Sequence, residues 1–287
     1  MLIKKEQIIE WSEKEKFQDD KHAEKDLYIE SLLKLFSFSK WLLKHLIFKG
    51  GTALHKMHFE KSLRFSEDID FEHKGNQDIG RTLNEMKLIF GKANLNIEIN
   101  RNKNNYEILC SYPSHTTTKP GKLKIEISDR EDFSVLGYTQ KRLHLNNVCF
   151  SSDIMMNTYN INEILSQKTR ALYQRDKGRD LYDLYVSRLH PDFDMKKIAQ
   201  CFIRHMTVKK DGKAITNIPT AENFIKRLKR KEKAPHFLRD VHGVLKTDVE
   251  YNQKHAFEWI KEKFVPNLIK ECIRQWDPGK GGPGGRD

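Results

Sequence analysis

Two acidic residues separated by one apolar residue carry the clearest chemical signal in the sequence. Asp68 and Asp70 lie in a segment, residues 67–72, whose alternation of polar and apolar residues predicts a β-strand. Positions two apart on a strand face the same side, so the carboxylates share one face while Ile69 and Phe71 face the core. Two such carboxylates repel each other unless a cation lies between them, and Mg²⁺ prefers oxygen ligands of this kind. A solvated strand face gives the same pattern, so both interpretations stay open for the pair alone.

A glycine pair upstream of the acidic strand predicts a phosphate-binding turn. Residues 45–48 are typical of a short buried strand, and Thr52 can begin and cap a helix that reaches about Phe59. Between these elements, Gly50 and Gly51 allow backbone angles and close approaches that a Cβ atom would block. The helix start would turn free N–H groups and the positive end of its dipole toward the loop, which favours anions. A Gly-Gly turn is often only a tight turn, but the combination with the acidic pair indicates a site for metal and phosphate.

A third carboxylate, Glu126, could complete a site for two metal ions. It lies in a predicted strand, residues 121–128, between Ile125 and Ile127, which should face the core and leave Glu126 on the opposite face. If this strand pairs beside the strand of Asp70, Glu126 can reach the metal ions. A plain exposed glutamate would give the same pattern, so both alternatives remain open.

The elements that must position these residues follow the order of an α+β protein. Apolar spacing predicts a helix over residues 22–36, and alternating or apolar segments predict strands at residues 95–100, 106–112, 121–128 and 142–150. From residue 161 onward the pattern is helical almost to the end. We therefore expect a mixed α/β domain over residues 1–155, a helical domain over residues 156–277 and a flexible Gly/Pro tail over residues 278–287.

Composition excludes several classes of protein. The chain has 287 residues, 38% of them hydrophobic, which suffices for a packed core and argues against disorder throughout. No apolar run approaches the roughly 18 residues of a membrane helix, and the first residues lack the pattern of a secretory signal. The four cysteines are scattered, without a Cys-x-x-Cys pair, as is typical of the reducing cytoplasm. His55 and His58 lack further ligands at metal-binding spacing and are predicted to be surface residues.

Positive charge is concentrated in the last third of the chain. The net charge is +12, and residues 195–287 carry 21 Lys and Arg against 11 Asp and Glu, a net of +10. This asymmetry suggests a polyanionic partner for the basic part. The densest run, residues 226–233, is read equally well as a solvated helix face or as a surface that contacts a phosphate backbone.

Two motifs taken together resemble a known protein family. Residues 49–54 (Lys-Gly-Gly-Thr-Ala-Leu) and residues 64–70 (Arg-Phe-Ser-Glu-Asp-Ile-Asp) resemble the AbiEii/AbiGii-type nucleotidyltransferase toxins, which belong to the polymerase-beta-like nucleotidyltransferase superfamily. The resemblance continues through residues 163–172, Arg175 and residues 178–184. It implies a polymerase-beta-like mixed sheet with flanking helices, followed by a helical C-terminal domain.

The resemblance also implies roles for individual residues. Asp68 and Asp70, with Glu126, would hold Mg²⁺ or Mn²⁺, while Lys168 and Asp180 would join the two aspartates in catalysis. The substrate NTP would contact seven residues: Lys49, Gly50, Gly51, Thr52, Arg64, Ser66 and Lys168. Other interpretations stay open, because Arg64 and Ser66 could merely fix their loop, Lys168 could be a surface lysine and Asp180 could serve only as a helix-start residue.

By the same resemblance, the expected function is that of a toxin in a bacterial toxin–antitoxin or phage abortive-infection system. It would transfer NMP from NTP to RNA, with a tRNA 3′ end as the candidate acceptor, and release pyrophosphate. A cognate antitoxin encoded by a neighbouring gene is the expected partner. Two alternatives remain: a transferase that acts on a small molecule or a protein hydroxyl, and a non-catalytic nucleotide- or RNA-binding module.

Overall fold

The chain forms two compact units. The computed structural model describes residues 3–74, 78–102, 105–128, 133–207, 209–210, 213–214 and 218–276. The first unit comprises Met1–Ser134, Tyr138–Tyr159 and Val244–Val249, and the second comprises Val135–Gly137, Asn160–Gly243 and Glu250–Asp287. The division into domains at residues 155 and 277 stays a prediction, and the tail predicted for residues 278–287 lies outside the described residues.

A seven-stranded mixed sheet organises the first unit. Its strands are β1 (Leu46–Lys49), β2 (Asp68–His73), β3 (Asn96–Asn102), β4 (Asn105–Tyr112), β5 (Gly121–Ser128), β6 (Tyr138–Asn146) and β7 (Ser151–Tyr159). Their spatial order is β3-β4-β5-β2-β1-β7-β6. Strand β2 pairs with β5 in parallel and β1 pairs with β7 in parallel, whereas the other neighbours are antiparallel. The two acidic strands predicted from the sequence, β2 and β5, are therefore direct neighbours.

Among the described residues, five helices belong to the first unit. They are α1 (Lys5–Glu15), α2 (Asp20–Phe36), α3 (Lys40–His45), α4 (Gly50–Ala53) and α5 (Ile79–Lys92). Helix α4 follows β1 directly and continues as a π-helical turn, Leu54–His58. This strand–glycine–helix connection is the one that the sequence predicted for the phosphate-binding turn.

An aromatic cluster fixes the apolar face of β2. The ring of Phe71 packs against Phe36 of α2, with 5.0 Å between centroids, and against Phe48 of β1 at 5.4 Å. Phe36 also contacts Phe90 of α5, 5.8 Å away. All four rings are buried. Because alternate residues of a strand face opposite sides, this packing holds the acidic residues of β2 on the other face.

A short segment from late in the chain also belongs to the first unit. The backbone N–H of Phe65 donates to the carbonyl of Val244 at 2.7 Å, and Arg64 forms an isolated antiparallel bridge with Leu245. The loop before β2 is thus held by residues about 180 positions further along the chain, a contact that no local pattern predicts.

The second unit is mainly helical. Its helices are α6 (Ile161–Gln174), α7 (Gly178–Ser187), α8 (Met195–Thr207), α9 (Ala221–Glu232), α10 (Pro235–His242), α11 (Gln253–Trp259) and α12 (Val265–Gln275). A π-helical turn, Ile260–Phe264, joins the last two helices, and β8 (Lys209–Lys210) pairs with β9 (Lys213–Ala214). The predicted α+β fold, with its mixed sheet followed by helices, is confirmed.

The bounds of one predicted strand are wrong. The segment 142–150 is the end of β6 plus a turn, and β7 follows as a separate strand that pairs with β6 from Tyr138↔Tyr159 to Asn146↔Ser151. The turn is closed by the side-chain oxygen of Asn147, which accepts the N–H groups of Cys149 at 2.8 Å and Phe150 at 3.0 Å. Since neither glycine nor proline marks this turn, the sequence reads as continuous strand.

Candidate active site

The acidic pair lies on the polar face of β2, as the alternation predicted. Ile69 and Phe71 are fully buried, while the side chain of Asp68 on the opposite face is 33% exposed. Glu72, two residues beyond Asp70, continues this acidic face but is buried. Asp68 and Asp70 therefore project from a rigid strand toward solvent.

Glu126 lies beside Asp70. The parallel register of β2 and β5 pairs Asp70 with Glu126, and Ile125 and Ile127 on either side of Glu126 are fully buried. Register partners in a sheet face the same side, so the three carboxylates share one surface. The strand pairing that the Glu126 hypothesis required is present, and the role of Glu126 as a metal ligand stays a prediction.

A lysine for which the sequence predicted no role lies among these carboxylates. The ammonium of Lys124, the register partner of Asp68, is 2.6 Å from Glu126 Oε1 and 3.5 Å from Asp68 Oδ2. Partial burial alone would lower the pKa of this ammonium, but the hydrogen bond to Glu126 and the neighbouring carboxylate charges raise it above its usual value. The acidic site thus has a resident positive charge.

The glycine turn lies directly against Asp70. Gly50 has a φ of +76°, and a Cβ atom built on it would lie 2.1 Å from Asp70 Oδ2. A Cβ atom on Gly51 would lie 2.6 Å from Arg64 Nη2 and 3.4 Å from Ser66 Oγ. Only residues without a side chain allow this approach, so the sequence-predicted turn and carboxylate are brought together.

Thr52 and Lys49 are held differently from what the sequence suggested. The cap residue of α4 is Lys49 and Thr52 lies inside the helix, so the predicted capping by Thr52 is wrong. Its hydroxyl instead donates to the backbone carbonyl of Asp68, which ties the helix to the start of β2. The ammonium of Lys49 pairs with the buried carboxylate of Glu72. Their contacts with a nucleotide stay predictions.

Arg64 and Ser66 stabilise the loop that leads into β2. Both are buried, and Arg64 Nη1 donates to Ser66 Oγ at 3.1 Å and to the carbonyl of Phe65 at 2.8 Å. The other guanidinium nitrogen, Nη2, faces the Gly51 backbone, as the close approach above shows. The loop-fixing role is therefore observed, and the contact with phosphate stays a prediction.

Lys168 and Asp180 meet inside the second unit. The ammonium of Lys168 is 3.2 Å from Asp180 Oδ1 and 2.8 Å from Asp183 Oδ2, and both carboxylates are fully buried. Arg175 adds two hydrogen bonds to Asp180, at 2.9 and 3.2 Å. Burial alone would raise the pKa of the Asp180 carboxyl, but Lys168 and Arg175 outweigh it and lower the pKa below its usual value. Lys168 is not a plain surface lysine, and the catalytic roles of the pair stay predictions.

Two further residues could have been found from strand alternation. Glu107 of β4 is the register partner of Glu126, and the buried Tyr106 and Ile108 on either side of it place it on the same face. Lys124 follows from the same rule, because it lies two positions before Glu126. The sequence alone predicts no role for either residue, since a single charged side chain on a strand is usually solvated.

The residue set fits a hard divalent cation by its chemistry. The donors on this face are carboxylate oxygens, the type that Mg²⁺ and Mn²⁺ prefer. Across the described residues, no group of three or more His, Cys, Asp or Glu side chains already has the spacing of a metal site. His55 and His58, predicted to be on the surface, are buried instead.

Comparison with known proteins adds the family. The model of the family described as nucleotidyl transferase AbiEii toxin, type IV TA system, matches residues 35–263. The chain belongs to this family. As an AbiEii family member it is a nucleotidyltransferase-type toxin of a toxin–antitoxin system, and an antitoxin and a nucleotide are the partners that membership suggests.

Solved structures confirm the fold. JHP933 from Helicobacter pylori is similar with a TM-score of 0.54 at 18% identity, and the match covers 89% of this chain and 94% of that one. MenT4, a nucleotidyltransferase toxin from Mycobacterium tuberculosis, is similar with a TM-score of 0.55 at 15% identity, over 94% of this chain and 99% of that one. No curated protein matches. Among the described residues, no helix of this AbiEii family member is long and apolar enough to cross a membrane.

Proposed function

We propose that the protein transfers a nucleoside monophosphate from an NTP to an RNA hydroxyl, with a tRNA 3′ end as the first acceptor to examine. The reaction would depend on Mg²⁺ or Mn²⁺ and release pyrophosphate. The observation that carries this proposal is the contact between the Gly50 turn and the Asp70 carboxylate, where a Cβ atom would lie 2.1 Å from Oδ2. Such a contact brings a phosphate-type turn and a metal-type ligand within reach of the same triphosphate.

Asp68, Asp70 and Glu126 are the residues proposed to hold the metal ion. They project from adjacent parallel strands on one face, and Lys124 already bridges two of them as a cation. When bound, the divalent cation would lower the pKa of the acceptor hydroxyl and stabilise the charge of the leaving pyrophosphate.

The residues around the glycine turn are proposed to bind the triphosphate. The absence of side chains at Gly50 and Gly51 leaves their backbone open to phosphate oxygens. Arg64 Nη2, directly beside Gly51, would add a positive charge there. Held in line, the acceptor oxygen bonds to the α-phosphorus while the bond from that phosphorus to the bridging oxygen breaks, and the hydroxyl proton leaves to water. The protein's contribution is positioning and charge neutralisation.

Lys168 and Asp180 are included in the proposal on the strength of the family resemblance. The buried pairing between their side chains supports a fixed geometry for the lysine ammonium. A positive group of this kind would neutralise the β- and γ-phosphates of the nucleotide.

An RNA acceptor is supported by the charge of α9. Its residues Lys226, Arg227, Lys229 and Arg230 are exposed, whereas Phe224 and Leu228 on the opposite side are buried. An exposed cationic helix face is suited to phosphate backbones. Family membership supports the remaining parts of the proposal: a cognate antitoxin encoded by a neighbouring gene, a role in abortive phage infection and a cytoplasmic site of action.

A labelled-nucleotide assay tests the proposal. The protein is incubated with Mg²⁺, each labelled NTP and total tRNA, and pyrophosphate release and label transfer are measured. Asp70→Asn should lower both by about 10²- to 10³-fold, because one charged ligand of the proposed metal ion is lost. Asp153→Asn is the matched control, since Asp153 is a half-exposed strand aspartate on β7. Unchanged transfer in Asp70→Asn would refute the assignment, and label found on protein or small molecules would move the acceptor to that class.

A further inference from the structure

Four charged side chains form a square on two paired strands. The register of β2 and β5 places Asp68 opposite Lys124 and Asp70 opposite Glu126, all on one face. The Lys124 ammonium contacts both of its neighbours in this square, 2.6 Å from Glu126 Oε1 and 3.5 Å from Asp68 Oδ2. Two of the three carboxylates proposed to hold a metal ion are therefore neutralised in part by a side chain of the same sheet.

The nearby lysine on β1 is engaged elsewhere. Lys49, the register partner of Asp70 on its other side, pairs with the buried carboxylate of Glu72. Glu107 adds a further negative charge beside Glu126 on β4. Repulsion along the row Glu107–Glu126–Asp70 favours a cation on this face, and Lys124 is placed to supply it.

The Lys124 side chain is suited to exchange partners. The Lys124 side chain is 32% exposed, and those of Asp68 and Glu126 are exposed to a similar extent. The lysine therefore has room to rotate without disturbing the core. A lysine ammonium is a compact charge on a flexible four-carbon stem, whereas the strand backbone that carries it is fixed by the buried Leu123 and Ile125. A triphosphate would offer it strong acceptor oxygens close to the carboxylates that it would leave.

We propose that Lys124 couples the binding of the metal ion to the binding of the nucleotide. Its ammonium competes with a free divalent cation for Asp68 and Glu126, and it shifts to the phosphates when the metal–nucleotide complex binds. The site then takes up the complex in preference to the bare metal ion. This inference rests on the proposed function of the same site, and it adds a residue and an order of binding to it.

Binding of Mn²⁺ alone is the first test. The free Mn²⁺ signal in electron paramagnetic resonance is titrated with the full-length protein, without nucleotide. Lys124→Gln should bind Mn²⁺ about five- to tenfold more tightly than the unaltered chain, which corresponds to one or two partly exposed ion pairs removed from competition. Lys122→Gln is the matched control: it removes the same charge from the same strand, at an exposed position, and should leave the affinity unchanged.

The second test adds non-transferable α,β-methylene analogues of ATP, GTP, CTP and UTP. In the unaltered protein the analogue that binds should raise Mn²⁺ affinity strongly, and by linkage Mn²⁺ should raise analogue affinity by the same factor. Lys124→Gln should lower this coupling by at least fivefold, because the competing ammonium and its phosphate contact are both gone. Thermal unfolding of both lysine variants checks that they fold.

The outcomes separate this inference from the proposed function. Equal Mn²⁺ affinity and equal coupling in Lys124→Gln and Lys122→Gln would overturn the role of Lys124, even if the unaltered protein releases pyrophosphate. Turnover that survives Asp70→Asn would instead overturn the proposed function, whatever Lys124 does.

Discussion

The surroundings of the Asp70 carboxylate are set by residues on three sides of it. One register neighbour is Lys49 and the other is Glu126, and the backbone of Gly50 lies against its carboxylate. A Cβ atom at position 50 would lie 2.1 Å from Asp70 Oδ2, so a side chain there would force this carboxylate to move. Glycine at this position thus allows the close approach to Asp70, and it also adopts the positive φ of +76° that the backbone requires there.

Gly50→Ala should lower activity strongly while it lowers the free energy of unfolding only moderately. The left-handed φ of +76° costs an alanine roughly 1–2 kcal/mol, and the new Cβ atom would have to displace the Asp70 carboxylate. We expect pyrophosphate release to fall by at least about a hundredfold, with the free energy of unfolding lowered by a few kcal/mol, measured by urea denaturation.

Gly137→Ala separates the effect of backbone strain from that of a clash with the Asp70 carboxylate. Gly137 has a φ of +78°, but a Cβ atom built on it meets nothing within 4 Å. Gly137→Ala should therefore lower the free energy of unfolding through backbone strain alone and keep its activity. If the two variants had the same turnover, the contact between the glycine turn and Asp70 would have no part in catalysis.

Helices α6, α7 and α9 are held together by buried charges. Lys168 of α6 pairs with Asp180 and Asp183 of α7, and Lys231 of α9 donates to the Leu172 carbonyl at 2.6 Å, near the end of α6. Lys231 also lies 3.0 Å from Asp176 and is 2% exposed. One lysine of the most basic run is therefore a cap for the carbonyl end of a helix, which a charge count cannot distinguish from a surface lysine.

Asp180→Asn should destabilise the protein in a pH-dependent way. The pKa of the Asp180 carboxyl is lowered in the folded state, so its stabilisation is fully present above the unfolded-state pKa of about 3.9 and is lost as the pH falls through the folded-state pKa. We expect a loss of about 3–5 kcal/mol near pH 7, because Lys168 and Arg175 keep their charges without the carboxylate. The difference from the unaltered protein should shrink below about pH 4.

Urea unfolding followed by circular dichroism between pH 3 and 7 measures this difference. Asp248→Asn is the control, because the pKa of Asp248 is also lowered but its partner Lys61 is exposed. That surface pair should be worth at most about 1 kcal/mol. A constant gap between Asp180→Asn and the unaltered protein down to pH 3 would contradict the ion pairing of Asp180.

Local pattern predicted the acidic strands well. The alternation around Asp68 and Glu126 gave the correct faces because the apolar neighbours of each residue are buried in one core. The turn at Asn147 was missed, since its closure depends on a side-chain hydrogen bond without a glycine or proline. The ion pair between Lys124 and Asp68 and the contact between Phe65 and Val244 depend on pairing between distant segments, and no local pattern encodes such pairing.

The net charge of the whole chain affects which class of partner it can bind. The charge of +12 favours association with any polyanion, and it is concentrated beyond residue 194. A diffuse charge would attract RNA without orienting it, whereas an ordered cationic helix face would orient it. The two possibilities differ in what happens when charge is removed from α9 alone.

Reversal of the positive charge on the exposed face of α9 should weaken RNA binding far more than an equal change of charge elsewhere in the chain. A variant with Lys226, Arg227, Lys229 and Arg230 replaced by Glu loses eight units of charge, as does a control variant with Glu at the exposed Lys5, Lys40, Lys87 and Lys92. Fluorescence anisotropy with labelled tRNA measures the affinity of both variants across a range of salt concentrations.

If α9 binds the RNA backbone, the slope of log affinity against log salt should decrease in magnitude by roughly 0.7–0.9 for each phosphate that the helix no longer neutralises. The control should keep most of its slope, and equal decreases in the two variants would show that net charge, and not this helix, attracts the RNA.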